Sequence, residues 1–304
     1  MPKIRKPLPA ELPEPETIDL DALVASLRDG RMDLVCVLGP TASGKTKYAV
    51  RLAREFAERG LPAEIISADS RQVYRGMDIG TGKDLAEYQE IPYHLIDICE
   101  PGGGYNVYQF KDDFGRAFAD IRGRGKVAIL CGGTGLYINA VTAGYDFRSS
   151  KPLSMPGAAG SGAFVGALPP EPPRLPDYRH RPSGSVPSSA VRSEERSQPP
   201  RTYFIGTLVS REVRNARIDA RLKARLKEGM IDEIRGLLER GVPAETLIAY
   251  GLEYKYVTLF LQGELTEQEL FEKLSTAIHQ FAKRQMTWFR GMERSGVQIH
   301  WVQV

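Results

Sequence analysis

Apolar residues along the 304-residue chain follow two different periods. Short, nearly continuous apolar runs occur at Leu34-Val35-Cys36-Val37-Leu38, Glu64-Ile65-Ile66-Ser67-Ala68, Tyr93-His94-Leu95-Ile96-Asp97-Ile98, Val127-Ala128-Ile129-Leu130-Cys131 and Tyr203-Phe204-Ile205-Gly206-Thr207-Leu208-Val209. Runs of that length, apolar on both faces, predict strands buried from both sides. Between them apolar residues recur three and four apart: Leu20, Leu23, Val24 and Leu27; then Ala49, Val50, Leu52, Ala53 and Phe56; then Phe110, Phe114, Phe118 and Ile121, with Asn106 as a cap. That spacing predicts amphipathic helices. Alternating strands and helices predict an α/β fold, a parallel sheet with helices on both faces.

After the fifth strand only helical spacing remains. One long helix is expected from Arg211, with Ile218, Leu222, Leu226, Met230, Ile234 and Leu237 on one face and Gly241 as its stop. A second helical stretch covers 244–262. Thr266 with Glu269 has the form of a capping box, opening a last helix that should bury Leu270, Leu274, Ile278 and Phe281. The tail, Val297 to Val302, reads as a short strand or a docking segment.

Two stretches carry no period. Residues 1–17 are rich in proline and charge and predict a poorly ordered arm. Residues 149–200 hold 11 of the 21 prolines, which marks a break in composition and predicts a disordered segment or long linker. The expected division is therefore an N-terminal extension over 1–32, the first part of the α/β core over 33–148, the proline-rich segment over 149–200, and the fifth strand with C-terminal helices over 201–304.

Composition changes this picture little. A formal net charge of +3 says nothing about a partner unless the charges cluster. Cys36, Cys99 and Cys131 sit in or beside strand-like runs without metal spacing, and predict reduced, buried thiols in a cytoplasmic protein. No apolar run is long enough to span a membrane, and the acidic N-terminus is unlike a transit peptide.

The candidate chemistry begins directly after the first strand, at Gly39-Pro40-Thr41-Ala42-Ser43-Gly44-Lys45-Thr46. A strand, a turn of this pattern and a helix are the context of a phosphate-binding P-loop. The glycines allow a tight turn that aims backbone N–H groups at an anion, and the helix start adds its positive end. Lys45 supplies a mobile charge, and the Thr46 hydroxyl is suited to a Mg²⁺ ion.

Other residues carry weaker signals. Asp69 closes the second strand and could be a metal ligand, a proton acceptor or a solvated loop carboxylate. Asp97 also ends a strand and could be a Walker B carboxylate or a polar strand end. Thr134, in Gly132-Gly133-Thr134-Gly135, could offer donors to a phosphate or leaving group. Arg211, Arg214, Arg217 and Arg221 could grip a pyrophosphate or lie on a solvated helix face. Lys283, Arg284, Arg290 and Arg294, mixed with Trp288 and Phe289, could face RNA or form the wet side of a packed helix. His94 reads as a satisfied core or loop residue.

Taken together these stretches resemble the tRNA dimethylallyltransferase (tRNA isopentenyltransferase) family. The resemblance rests on the phosphate loop, on Ser67-Ala-Asp-Ser-Arg-Gln-Val-Tyr74 with Gly76-Met-Asp-Ile-Gly-Thr81, on His94-Leu-Ile-Asp-Ile98 and on Gly132-Gly-Thr-Gly-Leu-Tyr-Ile138. In the C-terminal part it rests on Arg211-Glu212, Arg217-Ile-Asp219 and Ala282-Lys-Arg-Gln-Met-Thr-Trp-Phe289. It covers about 33–147 and 201–302.

The resemblance implies transfer of a dimethylallyl group from dimethylallyl diphosphate to N6 of an adenosine just 3′ of the anticodon of tRNA; a monomer is expected. It implies that Thr41 to Thr46 hold the donor diphosphate with Mg²⁺ near Thr46, and that Arg211 and Arg217 neutralise it. Asp69 would accept the N6 proton and Thr134 would meet the leaving group. Asp69, Ser70, Arg71 and Gln72 would touch the flipped adenine, and Lys283 and Arg284 the tRNA. The family's helical insertion, which grips the anticodon stem, falls where this chain has its proline-rich segment. Three other readings stay open: an NTPase or phosphotransferase with Asp97 as metal ligand, a prenyltransferase acting on free adenine nucleotides, and a tRNA-binding relative with impaired catalysis.

Overall fold

A computed structural model describes residues 13–143 and 198–304. Among them six strands form one sheet: β1 (Leu34–Leu38), β2 (Ala63–Ser67), β3 (Tyr93–His94), β4 (Val127–Gly132), β5 (Thr202–Leu208) and β6 (Ile299–Gln303). Their order is β3-β2-β4-β1-β5-β6 and every pairing is parallel. All six carboxyl ends therefore share one edge, where sheets of this kind bind ligands.

The strand residues alternate between two cores. Val35, Val37, Ile65 and Ile129 face α1 (Leu20–Arg28) and α2 (Lys45–Glu58), joining Leu23, Val24, Leu52 and Phe56. Leu34, Cys36, Leu38, Ile66 and Leu130 face the opposite way, onto α3 (Val107–Gly123), α4 (Gly135–Thr142) and the end of α9 (Glu267–Arg294), where Phe110, Phe114, Ile138 and Phe289 pack. Both faces are covered, which is why the strands read as continuous apolar runs.

A third cluster joins α5 (Arg211–Lys227), α6 (Met230–Glu239), α7 (Ala244–Tyr250), α8 (Leu252–Leu261) and the first half of α9. The expected caps are present. Asn106 opens α3 and Thr266 opens α9, each in a complete capping box.

Several expectations are corrected. The third strand ends after His94, because Leu95 and Asp97 take φ of 63° and 57° and turn the chain out of the ladder. The long helix from Arg211 breaks at Gly229, whose φ of 102° suits glycine and separates α5 from α6. The stretch 244–262 breaks likewise at Gly251, where φ is 155°. Phe281 is not buried but 40% exposed.

The tail is a strand, β6, paired with β5. The N-terminal extension contributes α1 to the core. Of the arm over 1–17 expected to be poorly ordered, residues 1–12 lie outside the described residues, and Glu16 is held: its N–H donates to the Trp301 carbonyl and its carboxylate lies 2.8 Å from His300 Nδ1. The proline-rich segment falls, but for 198–200, outside the described residues. All three cysteines are free; Cys36 and Cys131 are buried and Cys99 half-buried. Among the described residues no helix is long and apolar enough to cross a membrane.

Candidate active site

The loops after β1, β2 and β4 open on the carboxyl edge of the sheet, and α5, α8 and α9 close the space above them. The result is a cavity of about 930 Å³. Its floor is the phosphate loop. Thr41, Ala42, Gly44, Lys45 and Thr46 line it, while Gly39, Pro40 and Ser43 form the loop's underside. Ser43 is fully buried, its hydroxyl 2.6 Å from that of Thr207 on β5. Gly39 has no room for a side chain, since a Cβ there would lie 2.3 Å from Thr207 Oγ1. Ala42 adopts φ of 60° and Gly44 φ of 81°, which turns the loop tightly ahead of α2.

Lys45 Nζ lies 3.4 Å from the Pro40 carbonyl of its own loop. Burial lowers the pKa of this ammonium group, and the neighbouring Cys131 and Asp69 act in the opposite sense. A negatively charged occupant of the cavity would strengthen the ammonium form further.

Asp69 follows β2 and is half-buried on the cavity wall. Its Oδ1 accepts from the Arg71 N–H at 2.9 Å, an Asx turn that sets the side-chain angle. Among the described residues its second oxygen has no hydrogen-bond partner. Thr134 caps α4, and its hydroxyl accepts from the Ser70 N–H at 3.2 Å, which ties the β4 turn to the Asp69 loop. Ser70, Arg71 and Gln72 line the same wall.

The opposite wall belongs to α5. Arg217, Arg221 and Arg225, spaced four apart, present one face of that helix to the cavity. Arg217 is exposed and has no hydrogen bond or ion pair among the described residues. Its Nη1 reaches to 4.0 Å from where a Gly44 methyl would lie. Arg221 and Arg225 pair with Asp84 at 2.5 and 3.9 Å. Burial and the charge of Arg221 push Arg225 down to about 10. Arg211, the first residue of α5, points outside the cavity.

The rim comes from α9. Phe281, Arg284 and Trp288 line the cavity, whereas Lys283 is exposed on the helix away from it. Trp288 packs on Gly135 so closely that a Cβ there would meet the ring at 2.2 Å.

The expected Walker B role for Asp97 is not supported by its surroundings. It lies near β3, at the far edge of the sheet from β1, and its carboxylate pairs with the fully enclosed Lys83. His94 is satisfied by the buried Glu64 at 2.7 Å.

Three contributors were not singled out from sequence. Arg225 could have been found by extending the four-residue spacing of Arg217 and Arg221. Gln285, which bonds to the phosphate loop, lies in the Ala282–Phe289 stretch, but its role could not be read there because its partners are more than 150 positions away. Glu233 accepts the N–H groups of Asp78, Ile79 and Gly80 at 2.7–3.1 Å and a hydrogen bond from the Tyr254 hydroxyl, fixing the loop that bears Thr81 and Gly82.

Sequence relatives bear on what this cavity serves. The IPP transferase family matches residues 72–159 and 179–292, and the isopentenyl transferase family matches 32–91. The chain is 48% identical over 293 residues to tRNA dimethylallyltransferase 1 of Parabacteroides distasonis, covering 89% of this chain and 92% of that one. The chain belongs to the tRNA dimethylallyltransferase (IPP transferase) family. Another member, tRNA dimethylallyltransferase 2 of Syntrophotalea carbinolica, is 47% identical over 287 residues, with 89% and 94% coverage. The fold matches the crystal structure of the tRNA isopentenylpyrophosphate transferase of Bacillus halodurans with a TM-score of 0.67 at 27% identity, covering 90% of each chain.

Proposed function

We propose that this protein is a tRNA prenyltransferase, moving a dimethylallyl group from dimethylallyl diphosphate to N6 of an adenosine next to the anticodon. The observation that carries the reading is that Lys45, on the loop after β1, and Asp69, on the loop after β2, line one cavity. An anion site and a proton acceptor thus face a common space, which allyl transfer to an amine requires.

In this reading the diphosphate rests on the loop from Thr41 to Thr46, with Arg217 against its outer oxygens. Asp69 takes a hydrogen bond from the exocyclic amine and orients its lone pair at the allylic carbon. The new C–N bond forms as the C–O bond to diphosphate breaks. The N6 proton passes to Asp69 and the electron pair leaves with the diphosphate. Lys45, Arg217 and the loop N–H groups stabilise the charge that develops there. The Thr134 hydroxyl stands beside the same space.

The residues present suit a Mg²⁺ ion carried by the substrate. A hard oxygen donor is available at Thr46, and the described residues hold no cluster of three metal-ligating side chains. Bound there with the diphosphate, the ion would supply charge neutralisation to the leaving group. On the rim, Phe281, Arg284 and Trp288 offer a cation and stacking faces to a base splayed from its loop.

Incubation with unmodified tRNA, labelled dimethylallyl diphosphate and Mg²⁺, followed by mass analysis of the nucleosides, tests the proposal. Label in adenosine that disappears in Asp69→Ala while tRNA binding persists is the expected result. Label entering AMP but not tRNA would replace the acceptor, and nucleotide hydrolysis without any transfer would overturn the reading.

A further inference from the structure

The side chain of Gln285 is 8% exposed and bonds at both ends to backbone from two different loops. Its Oε1 accepts from the Thr41 N–H at 2.8 Å, and its Nε2 donates to the Gly133 carbonyl at 3.0 Å. Thr41 belongs to the turn after β1 and Gly133 to the turn after β4, the two central strands of the sheet. The fit has no slack, since a methyl on Gly133 would lie 2.4 Å from Nε2.

The residue next to Thr41 gives this contact its meaning. Ala42 holds φ of 60°, a left-handed conformation that strains a non-glycine residue and lasts only where its neighbours enforce it. Thr41 is held from one side by Gln285, and Ser43 from the other by Thr207. The strained tip is thus pinned on both flanks before any anion arrives. At its other end Gln285 holds the residue preceding Thr134, whose hydroxyl in turn ties down the Ser70 N–H beside Asp69. One amide therefore spans the anion loop and the turn that carries the rest of the chemistry.

We infer that Gln285 is a positioning residue: it preorganises the left-handed tip of the phosphate loop for a pyrophosphate group and keeps that loop in register with the Thr134 turn. The identity of the anion rests on the prenyl-transfer reading; the geometry does not. Methionine at this position would fill the space and preserve α9, but would leave the Thr41 N–H and the Gly133 carbonyl unpaired. Alanine at 133 would displace the Gln285 amide from the opposite side.

The test uses the full chain as wild type, Gln285→Met, Gly133→Ala and the double variant. Inorganic pyrophosphate with Mg²⁺ is titrated by calorimetry, tRNA binding is measured separately, and thermal unfolding is recorded for each. Each single variant is expected to bind pyrophosphate about tenfold more weakly, the scale of one or two lost hydrogen bonds. The double variant should lose little more, because both changes break the same link, and tRNA affinity should stay within about twofold.

Pyrophosphate affinity within about twofold of wild type, or an equal fall for both ligands, would assign Gln285 a merely structural role and overturn the inference. Should Gln285→Met fail to fold, an unchanged affinity in Gly133→Ala overturns it alone. A wild-type protein that binds pyrophosphate yet never modifies tRNA would sink the prenyl-transfer reading and leave the Gln285 comparison intact.

Discussion

The ammonium group of Lys83, with no exposed surface, pairs with the carboxylate of Asp97 and also lies 2.8 Å from Asp78. It further donates to the Tyr74 carbonyl, so it ties the loop that follows β2, at Tyr74 and Asp78, to the turn after β3. The Asp97 carboxylate is thereby already engaged by a buried cation. Asp97→Asn should lower stability by about 1–3 kcal/mol, the cost of weakening a buried charged hydrogen bond. The KM for the diphosphate should not change. Thermal unfolding and steady-state kinetics check this, and a KM effect without a stability loss would restore the Walker B reading.

Arg217 and Arg211 stand six residues apart on α5, about 1.7 turns, and so differ in what they face. Arg217 has no partner among the described residues and lines the cavity, while Arg211 lies outside it. Arg217→Ala should raise the KM for the allyl diphosphate about 10- to 100-fold, as expected for losing a charge-assisted contact to an anion. Arg211→Ala should leave it unchanged. Parallel kinetics on the two variants decide the matter, and equal effects would mean that the α5 wall is not the diphosphate contact.

Glu64 on β2 is almost completely buried and accepts from Arg124, Lys126 and His94. The hydrogen bond from Arg124, the largest influence, holds its carboxyl far below the usual range, with Lys126 and His94 adding to it. A depressed carboxylate stabilises the fold fully above its unfolded pKa of about 4.3, and that contribution fades as pH falls toward the folded value. Wild-type stability should therefore drop as pH goes from about 5 toward 2. Glu64→Gln should lose about 3 kcal/mol or more at neutral pH by leaving two cations short of their partner, and should flatten that acid slope. Denaturant unfolding across this pH range measures both effects.

Gly135 opens α4 beneath the Trp288 ring, and a Cβ there would meet indole atoms at 2.2–2.6 Å. Gly135→Ala should destabilise the protein by about 1–3 kcal/mol through overpacking. It should also lower kcat, because Thr134 is the preceding residue. Combining it with Trp288→Ala should restore stability by relieving the clash. A double variant as unstable as the single one would show that the glycine is needed for some other reason.

Much of the site was legible along the chain because its signals are local. The phosphate loop is a contiguous turn whose neighbours in sequence, a strand and a helix, are also its neighbours in space. Asp69 and Thr134 announce themselves by ending apolar runs, and parallel strands place all such ends on one edge. The capping boxes at Asn106 and Thr266 are legible for the same reason, each lying within one turn of chain.

Other features depend on distant partners, and their roles could not be read along the chain. Gln285 acquires its role only when α9 is laid across two turns, and Asp97 is silenced by a lysine whose position relative to it is set by folding. The breaks at Gly229 and Gly251 appear only in the folded chain, because an apolar period continues through both while tertiary packing turns the helices.

The order of apolar and polar residues by itself determined the parallel sheet and its two helical layers, and the Gly39–Thr46 motif marked the loop at the sheet's edge, since each depends on spacing over a few residues. Only the tertiary structure decided which arginines face the cavity, which carboxylate is already paired and what pins the loop's left-handed tip. Those properties belong to side chains that meet across the fold, and their free energy does not exist until the intervening chain has been brought into place.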